Sequence, residues 1–267
     1  PNIQYCARVQ RKSGQTATNN VQFATSLETA NSIPFAGKTV TLSFYARAGA
    51  NYSNAGNSLS AYIKSGTGTD QNYLKVAYTG ETTVNSAGVT LTTTWQRFSI
   101  TGTVSSSATE LALLFIFQPS GTAGAADYFE ITGVQLELGS VATPFARTGG
   151  TIQGELAACQ RYYYVHSEGN NEPICMGSYN STTSMEAVMQ LPVTMRTGPT
   201  ISQTTGTNYY SIYRSGAEDY FDSFTIEYSS AKAVAIYNNT QISGTAGVVG
   251  FIRNTNASAK LAFSAEL

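Results

Sequence analysis

Apolar residues recur at every second position along much of the chain. In the segment TVTLSFYAR, Val40, Leu42, Phe44 and Ala46 share one face, while Thr41, Ser43, Tyr45 and Arg47 share the other. A period of two places alternate side chains on opposite faces of an extended strand, so this segment predicts a half-buried strand. Similar runs fall at 59–65, 73–78, 95–101, 111–118 and 128–138, separated by Gly, Asn, Ser and Thr clusters such as 49–56 and 105–108. Short strands at this spacing predict an antiparallel sandwich or jelly roll.

The pattern breaks after residue 138. Gly139, Ser140, Pro144 and the Gly149-Gly150 pair mark a linker. ELAACQRYY then sets Leu156, Cys159 and Tyr163 at helical spacing, enough for two turns. Strands resume in MEAVMQL, where Met185, Ala187, Met189 and Leu191 alternate, and again at Phe224, Ile226 and Tyr228. The final KLAFSAEL alternates Leu261, Phe263, Ala265 and Leu267, which predicts that the chain ends inside a sheet. We find no fixed repeat and no heptad. The fold class expected is all-β: a jelly-roll β-sandwich over 1–142, a linker at 143–152, and an antiparallel β-sandwich over 153–267 with one short helix at the junction.

Composition narrows the function. Apolar residues make up 42% of the 267-residue chain, enough for a packed core, and charged residues only 12%, about half the usual share. The net charge of −1 and the scattered basic residues argue against a nucleic-acid partner, which needs concentrated positive potential. The apolar run 111–117 is too short to span a bilayer. Cys6, Cys159 and Cys175 read as ordinary buried thiols of a chain folded in a reducing compartment. No secretion signal opens the chain at Pro1, a start that also fits trimming of a longer polypeptide. The sequons at Asn51, Asn180, Asn238 and Asn256 read as chance matches in a chain rich in Asn, Ser and Thr.

Catalytic constellations are thin, so no enzyme is expected. His166 is the one histidine, which removes two-His metal motifs, and no G-x-S-x-G elbow occurs. His166 reads as a strand residue. Glu218, Asp219 and Asp222 read as a solvated turn, with Asp219 or Asp222 capping backbone amides. GTGTD at 66–70 reads as a hairpin connection. Arg196, between Pro192 and Pro199, is expected to fix a turn by bonding carbonyls, and Trp95 to anchor the core.

Binding surfaces offer more. Tyr45, Arg47, Tyr62 and Lys64 are expected on one sandwich face, as a saccharide platform or as a subunit contact. Tyr209, Tyr210, Tyr213 and Tyr220, near Phe221 and Arg214, are expected to form a mixed tip that contacts a receptor.

Three stretches resemble a group of tailed-bacteriophage virion structural proteins of the tail-fibre kind. The span 8–53, with its phrase GKTVTLSFYARA, is similar to the opening of a carbohydrate-binding-module-like jelly roll. DYFEITGVQLELGSVATPFART, 127–148, is similar to its closing strand and exit. CQRYYY at 159–164 and LPVTMRTGPTIS at 191–202 resemble the small C-terminal domain that follows it. The resemblance implies a virion location, assembly in the host cytoplasm, a homotrimer, contacts with other virion proteins and attachment to a host-surface saccharide. A capsid-decorating protein, or a carbohydrate-binding module from a polysaccharide-degrading enzyme, are the alternatives. Such jelly rolls often carry structural Ca²⁺ beside a closing "I-D-D-V" strand. Here Ile131, Thr132, Gly133 and Val134 stand in its place, which leaves Glu28 and Asp127 as weak ligand candidates and no cofactor expected otherwise.

Overall fold

A computed structural model describes residues 3–267, so the reading of Pro1 lies outside the described residues. The chain divides into two compact units, the first running to Ala146 and the second from Arg147 to Glu266. That division falls inside the 143–152 stretch.

The first unit is a jelly-roll β-sandwich. Its strands are β1 (Ala7–Gln10), β2 (Val21–Leu27), β3 (Thr39–Ala48), β4 (Ser58–Gly66), β5 (Thr82–Thr90), β6 (Gln96–Thr103), β7 (Glu110–Phe117) and β8 (Tyr128–Leu138). They form two four-stranded antiparallel sheets, ordered β1-β8-β3-β6 and β2-β7-β4-β5. A short helix α1 (Thr29–Ser32) follows β2. The alternating residues do what their period demands. Val40, Leu42, Phe44 and Ala46 of β3 meet Leu59, Ala61 and Ile63 of β4, and Leu111, Leu113, Phe115 and Phe117 of β7, in one core. Phe44 packs edge-on against Phe115 with ring centroids 4.9 Å apart. Each of the larger side chains among them, Val, Leu, Ile or Phe, contributes about 1.5–3 kcal/mol on burial.

The alternation changes phase once within β8. Ser43 of β3 faces Gln135, while Tyr45 faces Thr132, so an extra residue is inserted. Gly133 adopts φ +56° there, the left-handed conformation that glycine takes without a Cβ penalty. Phe129 and Ile131 point inward before the bulge, and Val134 and Leu136 pack on the core after it. Leu138, at the strand end, is exposed.

One strand expected in this unit is absent. The run 73–78 is a turn, in which the Lys75 and Val76 amides donate to the Asn72 carbonyl; Leu74 and Val76 are exposed. Alternation there has no partner strand to give it meaning. The segment 66–70 does open a hairpin connection, a long one, since it joins the antiparallel neighbours β4 and β5.

The second unit opens with α2 (Ile152–Gln160), whose Thr151 hydroxyl caps it by accepting the Gly154 amide at 3.1 Å. No residue of α2 is buried, and Tyr163 begins a strand rather than extending the helix. The strands are β9 (Tyr163–Glu168), β10 (Pro173–Tyr179), β11 (Met185–Gln190), β12 (Thr200–Gln203), β13 (Tyr210–Arg214), β14 (Ala217–Phe221), β15 (Thr225–Ser229), β16 (Ala233–Asn238), β17 (Val249–Asn254) and β18 (Lys260–Ser264). A seven-stranded sheet, β14-β13-β17-β10-β11-β16-β15, and a three-stranded sheet, β12-β18-β9, share a second core. The terminal run meets the expectation in part: β18 lies at the centre of its sheet with Leu261 and Phe263 fully buried, but the strand ends at Ser264, so residues 265–267 lie beyond it. A bulge between Ile226 and Tyr228 breaks the expected common face, so Phe224 is buried while Tyr228 is exposed.

Arg196 donates from Nε to the Ala265 carbonyl at 2.8 Å and from Nη2 to the Glu266 carbonyl at 3.1 Å. His166 lies on β9; its Nε2 sits 2.8 Å from the Ile174 carbonyl, which fixes the proton there and lets Nδ1 accept from the Tyr164 hydroxyl. The thiols differ from expectation: Cys6 and Cys159 are exposed, and only Cys175 packs on the core, where burial pushes it up to about 12. Among the described residues, no helix is long and apolar enough to cross a membrane.

Candidate functional site

The outer face of the β1-β8-β3-β6 sheet is covered in one part and open in another. Thr41 and Ser43 lie on the outward phase of β3 yet are buried, because the chain leaving β8 folds back over them. The Thr41 hydroxyl donates to the Gly139 carbonyl at 2.7 Å. Glu137 accepts from the Thr143 amide at 2.9 Å and from the Thr143 hydroxyl at 2.6 Å, and Gln135 accepts from the Ala146 amide at 2.9 Å. Arg97 donates to the Thr143 carbonyl and to the Ser43 hydroxyl. Those Thr143 bonds hold the Glu137 carboxyl below its usual range. The strap 139–146 is thereby fastened across the sheet.

Beyond the strap the same face opens into a cavity of about 280 Å³, lined by Ile3, Gln4, Tyr5, Cys6, Tyr45, Arg47, Trp95 and Thr132. Tyr45 and Arg47 come from β3, Thr132 from β8 just before the bulge, and Trp95 from the turn entering β6. The N-terminal segment forms a wall, held where the Thr132 hydroxyl donates to the Tyr5 carbonyl at 2.7 Å. Trp95 is 38% exposed, with the Arg47 guanidinium carbon 4.8 Å from its ring centroid. The expected core anchor is therefore a surface ring. The parity of the strand carried that signal: Trp95 shares its phase with Arg97 and Ser99, opposite to Phe98 and Ile100.

Arg47 is aimed from beneath. Glu130 stands opposite Arg8 of β1 and Arg47 of β3 in register. Its Oε1 accepts from Arg8 Nε at 2.8 Å and Nη2 at 2.6 Å, and its Oε2 accepts from Arg47 Nε at 2.5 Å. Burial works to raise the Glu130 carboxyl, but the bonds from Arg8 and Arg47 more than offset it, so it lies below its usual value. Sequence reasoning missed Arg8, Glu130, Thr132 and Tyr5, since nothing local marks residues that meet only across strands.

Tyr62 and Lys64 do not join this face. They point outward from β4, in the opposite sheet, and so lie on the other side of the sandwich from Tyr45 and Arg47. Alternation correctly placed all of these outward, but "outward" has opposite directions in two packed sheets. Lys64 is bound to Glu81 at 2.8 Å and to Thr83 at 2.9 Å, and the Tyr73 hydroxyl also donates to Glu81.

The tyrosines of the second unit divide likewise. Tyr210 is fully buried, and its hydroxyl bonds to the Thr204 and Lys260 carbonyls, each at 2.8 Å. It is a core residue, not a contact residue, and Tyr209 is half-buried against the same core. Tyr213 and Tyr220 are exposed. Glu218 and Asp219 lie on β14 rather than in a turn, while Asp222 follows the strand in a bend, and the capping expectation describes the bonds: Asp219 accepts from the Ser243 amide and Asp222 from the Asn208 amide, both at 2.8 Å.

Asp127 does not fit a calcium ligand. It is fully buried, its Oδ1 accepts from the Ser53 amide at 2.9 Å, and its Oδ2 accepts from Arg11 at 2.8 Å and the Ser53 hydroxyl at 2.9 Å. Glu28 is buried beside α1, and its carbonyl accepts from the Asn31 and Ser32 amides. Among the described residues no group of three or more His, Cys, Asp or Glu is placed to hold a metal.

No protein-family model matches the sequence, and no curated protein matches it. Among solved structures, one described as "CBM4 structure and function" is similar over 50% of this chain and 71% of its own, at 22% identity and a TM-score of 0.35. The N-terminal CBM22-1-CBM22-2 tandem domain of Paenibacillus barcinonensis Xyn10C is similar over 98% of this chain and 91% of its own, at 12% identity and a TM-score of 0.29.

Proposed function

We propose that the chain is a non-catalytic saccharide-binding protein whose ligand sits on the open outer face of the first unit. The observation that carries this reading is the exposed Trp95 ring beside Arg47 and Tyr45 over the 280 Å³ cavity. Sugar C–H faces stack on aromatic rings, and a few fixed polar groups orient the hydroxyls. Leaving a large ring in water forgoes about 25 cal/mol for each Å² of apolar surface that burial would hide. Trp95 is the single tryptophan, so its fluorescence reports directly on this face. The test is titration with a panel of oligosaccharides, read by that fluorescence and by calorimetry. Trp95→Ala is expected to weaken binding about fivefold to a hundredfold at unchanged melting temperature, on the scale of about 1–3 kcal/mol for a lost stacking contact. Equal calorimetric affinity in both proteins sinks the proposal.

A second reading places that saccharide on a host-cell surface and the chain in a phage virion, as a trimeric appendage assembled in the host cytoplasm. The sequence phrases of 8–53 and 127–148 support it, and so does one surface. On the outer face of the seven-stranded sheet, Tyr213, Phe251 and Met176 stand in register across β13, β17 and β10. Val188, Ala235 and Tyr228 do so across β11, β16 and β15. Exposed apolar rows of this kind mark contact surfaces, and self-assembly covers them.

A further inference from the structure

We infer that the Trp95 face takes an acidic saccharide, one whose ring carries a carboxylate, as in uronic and sialic acids; this rests on the saccharide-binding reading. Among the described residues that line the cavity, Arg47 is the one charged side chain. No carboxylate among the described residues lines it, although neutral sugars are commonly oriented by carboxylates that accept from their hydroxyls. The remaining side chains are Tyr5, Tyr45, Trp95, Thr132, Gln4, Cys6 and Ile3, a set rich in donors.

Arg47 itself is arranged to receive an anion. Its Nε is spent on Glu130, which fixes the guanidinium plane, and its Nη1 and Nη2 have no hydrogen-bond acceptor among the described residues. Its side chain is 36% exposed and lies against Trp95. Two parallel N–H groups held in this way match the two oxygens of a carboxylate, a fit that a lysine ammonium does not reproduce. The charges agree: Arg8 and Arg47 share the single carboxylate of Glu130, so the three side chains together carry a net positive charge. An acidic sugar thus stacks its ring on Trp95 while its carboxylate meets the Nη pair.

The experiment pairs oligosaccharides bearing uronic or sialic acid with the same oligosaccharides after carboxyl reduction, titrated calorimetrically into the full chain at low and physiological salt. At least one acidic form is expected to bind about tenfold or more tightly than its reduced partner. Salt should narrow that preference, Arg47→Gln should erase it, and Arg47→Lys should restore only part of it. Tyr62→Ala, on the opposite face, should leave it unchanged. Equal affinity for acidic and reduced forms overturns this inference and leaves saccharide binding intact. A preference that survives Arg47→Gln also overturns it, since the anion is then read elsewhere. Failure of every acidic and reduced form to bind overturns both this inference and the reading beneath it.

Discussion

Arg11 is almost fully buried, and its guanidinium is ringed by oxygen. Nη1 donates to Asp127 at 2.8 Å and to the Ser53 hydroxyl at 3.3 Å, while Nη2 donates to the carbonyls of Gln15, Ala17 and Gly121. An organic cation does here what a bound cation does elsewhere: it gathers loop carbonyls and one carboxylate into a fixed knot. Burying either charge alone is costly, and the pair is tolerated because nearly every lone pair and proton finds a partner. Arg11→Met keeps much of the side-chain volume but strands the Asp127 carboxylate in the interior. It should therefore lower stability by about 3–5 kcal/mol, measured by urea unfolding. Arg11→Met with Asp127→Asn should recover part of that loss. A single variant within 1 kcal/mol of the parent contradicts this role for the knot.

Strands β1, β8 and β3 are joined at their outer face by one carboxylate, since Glu130 lies opposite both Arg8 and Arg47. Its folded-state value is depressed, so it binds its proton more weakly folded than unfolded. The stability it contributes is present above its ordinary value of 4.5 and is lost as the pH falls below it. Urea unfolding from pH 7 to pH 3 should show the parent and Glu130→Gln converging in stability at the acid end. A gap that stays constant across that range removes the linkage. The elements were legible in part: β10, β13, β16 and β17 went unread, and β14 was read as a turn. The β3, β4, β7 and β8 runs announced themselves because each buries one face against a partner sheet. β5 escaped, because TTVNSAGVT at a sheet edge carries little apolar alternation, and 73–78 misled because alternation without a pairing partner is only coincidence. The site was half legible. Parity put Tyr45 and Arg47 outward, but which sheet faces which, what the exit strap covers and where the β8 bulge re-aims Thr132 are properties of pairing between distant strands.

The two units carry separate cores, and the outer face of the seven-stranded sheet leaves Met176, Val188, Tyr213, Tyr228 and Val249 in water. Apolar rows spread across six strands gain stability when a like surface covers them, at about 25 cal/mol per Å² removed from water. With 12% charged residues, the chain has few charges to hold copies apart. For the appendage reading this surface is where three copies meet. Light scattering on a size-exclusion column should then give three times the 28.4 kDa chain mass, about 85 kDa. Val188→Glu places a charge in the middle of the row and should release monomers with unchanged secondary structure, because its side chain already faces solvent within the single chain. Saccharide binding at Trp95 should survive in those monomers, since that site is built wholly within the first unit. A parent protein that is already monomeric at micromolar concentration removes the trimer, and leaves the Trp95 face as the feature on which function rests.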